Sequence, residues 1–294
     1  MAIYISQDKR MIKDDIQKQS SGDNSTNYQA QGNINIINNY ANFNKEELHT
    51  ELSLIFKENM PILRQIAQDE AISRAEELNN NLINKISQLE ENLLHKVIER
   101  LSEPDTQMAI YEAQKNYAKY KSEDKLEQFT HLLLSKGLEK ASSVRNYLLD
   151  EAIETISKMN QVQIDFLSYL VRKFTKIIDV KNISDLHEKY INKILEHSYV
   201  LDVATYSDVD YLDQIGCIKN RPYTIVDQTL VDILKKQYQN INNAQSSLTQ
   251  LDSNLKSLFT KDANLPSIDL TPLGILIGLK NIEIKTGDVL NWNF

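Results

Sequence analysis

The sequence predicts a mainly α-helical protein with a short β element near its N-terminus. Three observations predict it. Gly and Pro are scarce, 7 and 5 in 294 residues, which argues against an all-β or loop-rich chain. From Leu48 onward apolar residues recur at three- and four-residue spacing, the period of an amphipathic helix. One segment instead alternates two chemistries with a period of two, GDNSTNYQAQGNINIINNY at residues 22–40, which is the signature of an extended strand.

In that segment Tyr28, Ala30, Gly32, Ile34 and Ile36 fall on one side, and Asn27, Gln29, Gln31, Asn33 and Asn35 on the other. Gly22-Asp23-Asn24 opens it and Asn38-Asn39 closes it, both turn-forming runs. A lone strand leaves its backbone groups unsatisfied. No other part of the chain obviously offers it a sheet, so it is expected to pair with copies of itself. Tyr28, Ala30, Gln31, Gly32, Asn33, Ile34, Asn35 and Ile36 are therefore the candidate oligomerisation residues. Stacked amides form ladders, and a closed β-prism or β-helix-like ring of about three to six chains would have a fixed copy number. Before the segment, residues 2–5 can extend as a strand, while Met11 to Lys18 reads as a short helix or as unstructured chain. Residues 1–43 together form the expected N-terminal β assembly segment.

Residues 44–103 read as a long helical stalk. Asn44 with Glu47 resembles a capping box. Leu48, Leu52, Ile55, Ile62 and Ile66 follow at helical spacing, then Leu78, Leu82, Ile86, Leu89, Leu93 and Val97. The stripe is nearly of coiled-coil width, with Leu48, Leu52, Ile55, Leu82, Ile86, Leu89 and Leu93 as stalk-packing residues. Pro61 is expected to kink or interrupt it.

Residues 104–200 read as a helical body of short, capped helices. They run over Thr106 to Tyr120, from Ser122 past Leu134, over Ser142 to Lys158, from Asn160 to Asp179, and from Ser184 to Val200, with Gly137 as a close-packing site. Residues 201–294 read as a small α+β, winged-helix-like module. Asp208 to Ile218 forms a short helix ending at Gly216, and Thr224 to Asn240 is helical or mixed. Leu248, Leu251, Leu255 and Leu258 keep helical spacing. Thr271 and Pro272 have the N-cap and first-position chemistry of a new helix. Gly274 and Gly278 on it permit close approach, Ile282 and Ile284 begin a strand, and Thr286-Gly287-Asp288 turns.

Composition narrows the chemistry. A net charge of -8 and a pI near 5.3 disfavour broad nonspecific binding to nucleic acid or anionic membrane. Cys217 is the single cysteine, so no intrachain disulfide forms. No leader and no membrane span is expected, and a cytoplasmic location follows. The five histidines, His49, His95, His131, His187 and His197, are scattered. No HExxH, GxGxxG, P-loop, GxSxG or CxxC pattern occurs. No catalytic residue, metal ligand or cofactor is assigned. Asp150-Glu151 with Glu154, near Arg145 and Asn146, fits an internal ion-pair network as well as it fits catalysis. Asp202, Asp208, Asp210 and Asp213 lack calcium-loop spacing and read as caps and turns. Cys217 reads as a buried, inert thiol. Tyr111, Tyr117, Tyr120, Tyr147 and Tyr169 read as core or interface before they read as a base-stacking surface among lysines.

The run GDNSTNYQAQGNINI, the long helix after it, EPDTQMAIYEAQKNYAK, YLLDEAIETISKMNQVQIDFLSYLVRKFT, YLDQIGCIK and the closing LTPLGILIGLKNIEIKTG resemble a bacterial family whose members carry only locus-tag names. The likeness spans most of the chain and lapses from Gln239 to Ser267. It implies a bacterial cytoplasmic protein without a recognised catalytic motif. The strand alone is similar to Gly/Asn/Gln-rich motifs that nucleate assemblies in bacterial immune proteins, which implies self-assembly and a role in antiphage defence.

The expected function is thus a non-enzymatic homo-oligomeric scaffold or sensor, its partners itself and a phage or host protein trigger. One alternative is nucleic-acid binding through the C-terminal module, where Lys280, Lys285 and Trp292 would form the partner surface. A second is an enzyme whose site lies between subunits.

Overall fold

Runs of good helix formers, each opened by a hydrogen-bonding cap, fold as helices through most of the computed structural model, which describes residues 17–20, 26–29, 45–175, 180–221, 229–238, 244–252 and 255–290, with side chains from Arg64. The protein is mainly α-helical. Its chain divides into two units, residues 1–66 and 67–294.

In the first unit β1 (Gln17–Ser20) and β2 (Thr26–Gln29) pair antiparallel. The strand beginning near Gly22 therefore has a partner inside its own chain, contrary to the sequence expectation. The end of the segment read as helix or unstructured chain is that partner. The physical reason lies in Gln17-Lys18-Gln19-Ser20, which carries the same alternation of amide positions as β2. Helix α1 (Lys45–Ser87) then starts and runs without interruption through Pro61, which corrects the expected break. Loss of one backbone donor and a clash at the preceding turn cost about 3 kcal/mol, and a helix of 43 residues has many other backbone bonds to hold its path. The chain turns at 88–90 instead, where the Gln88 and Leu89 amides donate to Lys85 and Ile86 three residues back and Glu90 is extended.

The second unit takes in α1 from Ala67. Leu78, Leu82 and Ile86 are buried in its core, so this part of the expected stalk is a wall of the body. Helices α2 (Glu91–Leu101), α3 (Pro104–Lys119), α4 (Glu123–Leu138) and α5 (Val144–Ile156) follow. Ser122 accepts from the Lys125 amide and Ser143 from the Asn146 amide, each satisfying a donor that a helix start leaves free. A Cβ on Gly137 of α4 would stand 3.0 Å from Val97 of α2, so the glycine sets how closely these two helices pack.

Helix α6 (Gln161–Phe174) opens with a reciprocal cap between Asn160 and Gln163. It ends earlier than the sequence suggested. Helix α7 covers residues 183–195 as Ile183–Leu186, a π turn His187–Ile191 and Asn192–Leu195. Its cap is Asn182, which accepts from the Asp185 amide, and not Ser184. Next come α8 (Val200–Val203), α9 (Tyr206–Gln214), β3 (Ile218–Asn220), α10 (Leu230–Gln237), α11 (Ala244–Leu251), α12 (Leu255–Ala263), β4 (Ile268–Leu270) and α13 (Pro272–Thr286). Strands β3 and β4 pair antiparallel, with Ile218 opposite Leu270.

The closing segment corrects the idea of a separate C-terminal module. Helix α13 runs through Ile282 and Ile284, where a strand was expected, to a left-handed Gly287 at φ 72°. It is buried from Leu273 to Ile282, as α6 is from Gln163 to Lys173, and the two pack together. Glycine makes the approach: a Cβ on Gly278 would lie 2.8 Å from Val171 and 2.9 Å from the Leu167 carbonyl, and one on Gly274 would lie 2.0 Å from the Cys217 carbonyl. A helix apolar on every side belongs in the interior, so α13 is a central element of the body and not a wing's recognition helix.

Candidate functional site

The candidate assembly segment is built on the hairpin. Its register sets Gln17 opposite Gln29 and Gln19 opposite Asn27, while Lys18 faces Tyr28 and Ser20 faces Thr26. Residues alternate faces along a strand, so the four amide positions share one face of the hairpin. Tyr28 sits on the other. Ala30, Gln31, Gly32, Asn33, Ile34, Asn35 and Ile36 lie outside the described residues. Among the described residues no third strand joins this sheet. Two short strands are marginal alone in water, and three or more, or a packed face, are needed for stability. The amide alternation of Gln17 and Gln19 was the signal that could have revealed β1.

Of the stalk residues, Leu48, Leu52 and Ile55 lie on α1 within the first unit. Leu82 and Ile86 are buried in the core of the second unit, Leu89 packs against it, and Leu93 is exposed.

Both lysines of the proposed partner surface are held in ion pairs, Lys280 buried and Lys285 exposed. Asp165, the fifth residue of α6, is fully buried and accepts from Lys285 at 2.7 Å, from Asn281 at 2.7 Å, from Gln161 at 3.0 Å and from the Tyr199 hydroxyl. Asn281 also donates to Ser168 at 2.7 Å. Burial pushes the Asp165 carboxyl up, but the hydrogen bonds from Lys285, Tyr199 and Asn281 outweigh it and hold it below its ordinary value. Lys280 is almost wholly buried and pairs with Glu283 at 2.6 Å. Trp292 lies outside the described residues. Sequence reading missed this cluster because its two helices are far apart in the chain.

Two further polar clusters form around buried ions. Lys173, Tyr169 and the Leu230 amide all donate to the buried carboxylate of Asp262, at 2.8, 2.6 and 2.5 Å. Lys136, fully buried, reaches Asp150 at 2.7 Å, Asn146 at 3.1 Å and Asp105 at 3.4 Å, and Arg100 bonds Asp105 and Glu103. Asp150 and Asn146 are thus members of an ion-pair network, as expected, whereas Arg145 turns to Glu139 and Glu154 to Lys158. Burial raises the Asp105 carboxyl, but bonds from Arg100 and Asn146 carry it well below the usual carboxylate range. Each charge has an opposite partner, as buried ions require.

The remaining candidates have structural roles. Cys217 is buried, and desolvation pushes its thiol up to about 12. Asp208 closes a capping box with Thr205, Asp213 and Asp210 accept from Asn220, and Asp202 pairs with Lys261. Tyr117 and Tyr169 are core, while Tyr111, Tyr120 and Tyr147 are exposed. Burial, then the charge of Arg172, lowers the pKa of His197. Among the described residues no group of three His, Cys, Asp or Glu side chains suits a metal ion, and no helix is long and apolar enough to cross a membrane. A cleft of about 390 Å³ opens between α5 and the start of α13, lined by Glu151, Glu154 and Thr155 on one side and Gly216, Pro272 and Leu273 on the other. Thr155 and Thr271 supply its hydroxyls and Glu151 and Glu154 its carboxylates.

These features define a mainly helical protein with an amide-rich N-terminal hairpin and internally paired charges. A family model described as “:-like” matches residues 43–261, and the chain belongs to that family. The match begins just before α1 and ends within α12, so the hairpin, β4 and α13 lie outside it. No curated protein and no solved structure matches the chain.

Proposed function

We propose that the protein is a non-enzymatic homo-oligomeric scaffold or sensor, assembled through its N-terminal β segment and first helix. The observation that carries the reading is the β1–β2 hairpin, four residues per strand, with no third strand among the described residues. Such a ribbon gains stability by adding strands at its edges, and residues 30–36 continue the alternation that lets neighbouring copies stack. The likeness of this segment to bacterial immune assembly motifs supports a place in antiphage defence in the cytoplasm, with a phage or host protein as trigger.

Nucleic-acid binding through the C-terminal module is the alternative reading, in which Lys280 and Lys285 would exchange Glu283 and Asp165 for phosphates. No specific observation favours a site between subunits.

The test is absolute mass in solution by light scattering. The full chain, a version lacking residues 1–43 and the Ile34→Asp, Ile36→Asp double variant are compared. A defined oligomer that becomes smaller in both altered forms, at unchanged helical content of the body, supports the reading. A wild-type mass distribution in the double variant overturns it.

A further inference from the structure

One face of α5 stays open toward the start of α13. Leu148, Glu151 and Thr155 stand three and four residues apart and so share that face, with Glu154 beside them. Opposite lie Ile215 and Gly216, just past α9, and Thr271, Pro272 and Leu273. The far wall is braced from within. The Thr271 hydroxyl reaches the Gly216 and Cys217 carbonyls at 2.7 and 2.9 Å and accepts from the Gly274 amide at 3.1 Å. The cleft of about 390 Å³ between the two walls falls within the roughly 300–1,000 Å³ of small-molecule sites.

The near wall holds polar groups that the fold does not use. Thr155 is only 8% exposed and lines the cleft. Thr130, Thr175 and Thr286 turn their hydroxyls back to the carbonyl four residues earlier. The Thr155 hydroxyl instead has no hydrogen-bond partner among the described residues. Unlike the orphaned Thr106 hydroxyl, which is sealed in the core, it keeps accessible surface, and that surface opens on the cleft. Buried polar groups are nearly always bonded, so this hydroxyl calls for a partner from the cleft. Glu151 is exposed and enters no ion pair among the described residues. Glu154 pairs with Lys158 at 2.8 Å, both side chains open to water, and a pair of that kind is worth little and exchanges readily.

These groups define the ligand. Two carboxylates repel an anion and favour a cation. A primary ammonium carries three N–H donors, which match two carboxylates and one hydroxyl oxygen. A quaternary ammonium brings the charge but no donor for Thr155. Leu148, Ile215, Pro272 and Leu273 offer apolar surface to a carbon stem. We infer that the cleft between α5 and the start of α13 is a binding site for a primary organic amine in its ammonium form, held by Glu151, Glu154 and Thr155. The inference goes beyond the proposed self-assembly and does not rest on it. A free alkylamine and a protein's lysine side chain share this chemistry, and the test separates them.

Isothermal titration calorimetry on the full chain uses hexylammonium as the probe, beside hexyltrimethylammonium, hexanoate and Nα-acetyl-lysine amide. Saturable binding of hexylammonium is expected, with hexyltrimethylammonium and hexanoate weaker by about tenfold or more. Glu151→Gln and Thr155→Val should each weaken hexylammonium by about tenfold or more, while Glu91→Gln on α2 leaves it unchanged. Circular dichroism checks that each variant is folded, and Glu151→Gln, an exposed change, carries the test if Thr155→Val is not. Tighter binding of the lysine amide than of hexylammonium supports the site with a protein lysine as its ligand, and weaker binding supports it with a free amine. No saturable binding of either amine overturns the site, as does equal affinity for hexylammonium in wild type and folded Glu151→Gln.

Discussion

Lys285, on the last turn of α13, donates to Asp165, the fifth residue of α6, at 2.7 to 2.8 Å across 120 residues of sequence. The bond aligns the two most buried helices of the body at one end, and Ser168, donating to the Gly278 carbonyl at 3.3 Å, links them further along. A lysine that reads as a surface feature in sequence is here a strut.

Asp165→Ala should therefore destabilise the fold strongly. It leaves the buried Asn281 amide without its carboxylate acceptor, while the exposed Lys285 can turn to water, and an unsatisfied buried polar group costs about 1–3 kcal/mol. Urea unfolding of wild type and variant should show a lower midpoint with unchanged slope. A loss below about 1 kcal/mol would mean that the cluster relaxes to water.

The same carboxyls set a pH dependence. Asp165 and Asp105 are both held below their ordinary values in the folded chain, whereas in the unfolded chain an aspartate titrates near about 3.9. Their contribution is therefore fully present above about pH 4 and is lost as pH falls through the lower folded values. The part of the midpoint change that these carboxyls cause should appear below about pH 4, and it should be smaller in Asp165→Asn. A wild-type midpoint that does not change between about pH 5 and 3 would count against the network.

Gly278→Ala should cost about 1–3 kcal/mol by overpacking, because its Cβ would press on Val171 and the Leu167 carbonyl. Gly274→Ala should cost more, since the atom in its way is the Cys217 backbone carbonyl at 2.0 Å, which no rotamer can move. Thermal midpoints of the two variants should fall in that order.

Cys217 should be silent to thiol reagents in the native chain. It is buried with its pKa pushed up to about 12, so little thiolate exists near neutral pH. Modification by a disulfide reagent should proceed at the rate at which the chain opens. A rapid native-state reaction would show that the β3 region opens readily.

The parts of this fold that were legible are those set by neighbours in sequence. Ser122 and Asn160 were readable as caps, and Thr271 with Pro272 as a helix start, because a cap is a bond between residues two or three apart. The break of α1 was read at Pro61 because proline carries a local penalty, yet the turn falls at 88–90. The hairpin was half legible: β2 was seen from its alternation, and its partner was passed over because four residues, Gln17 to Ser20, are too short to announce themselves.

Taken alone, the sequence determined a mainly helical chain, the caps at Ser122, Asn160 and Thr271, the close-approach glycines and an inert Cys217, since each rests on short-range periodicity or on the chemistry of one side chain. Only the tertiary structure decided that α13 lies at the centre against α6, that Lys285 and Lys280 are paired with carboxylates, that residues 67–87 wall the body and that Tyr111 and Tyr147 are left outside. Those outcomes depend on which buried faces meet across more than a hundred residues. The apolar runs of α13, Leu273 to Ile282, would suit an interface or a core equally, and the donors around Asp165 are what select the partner.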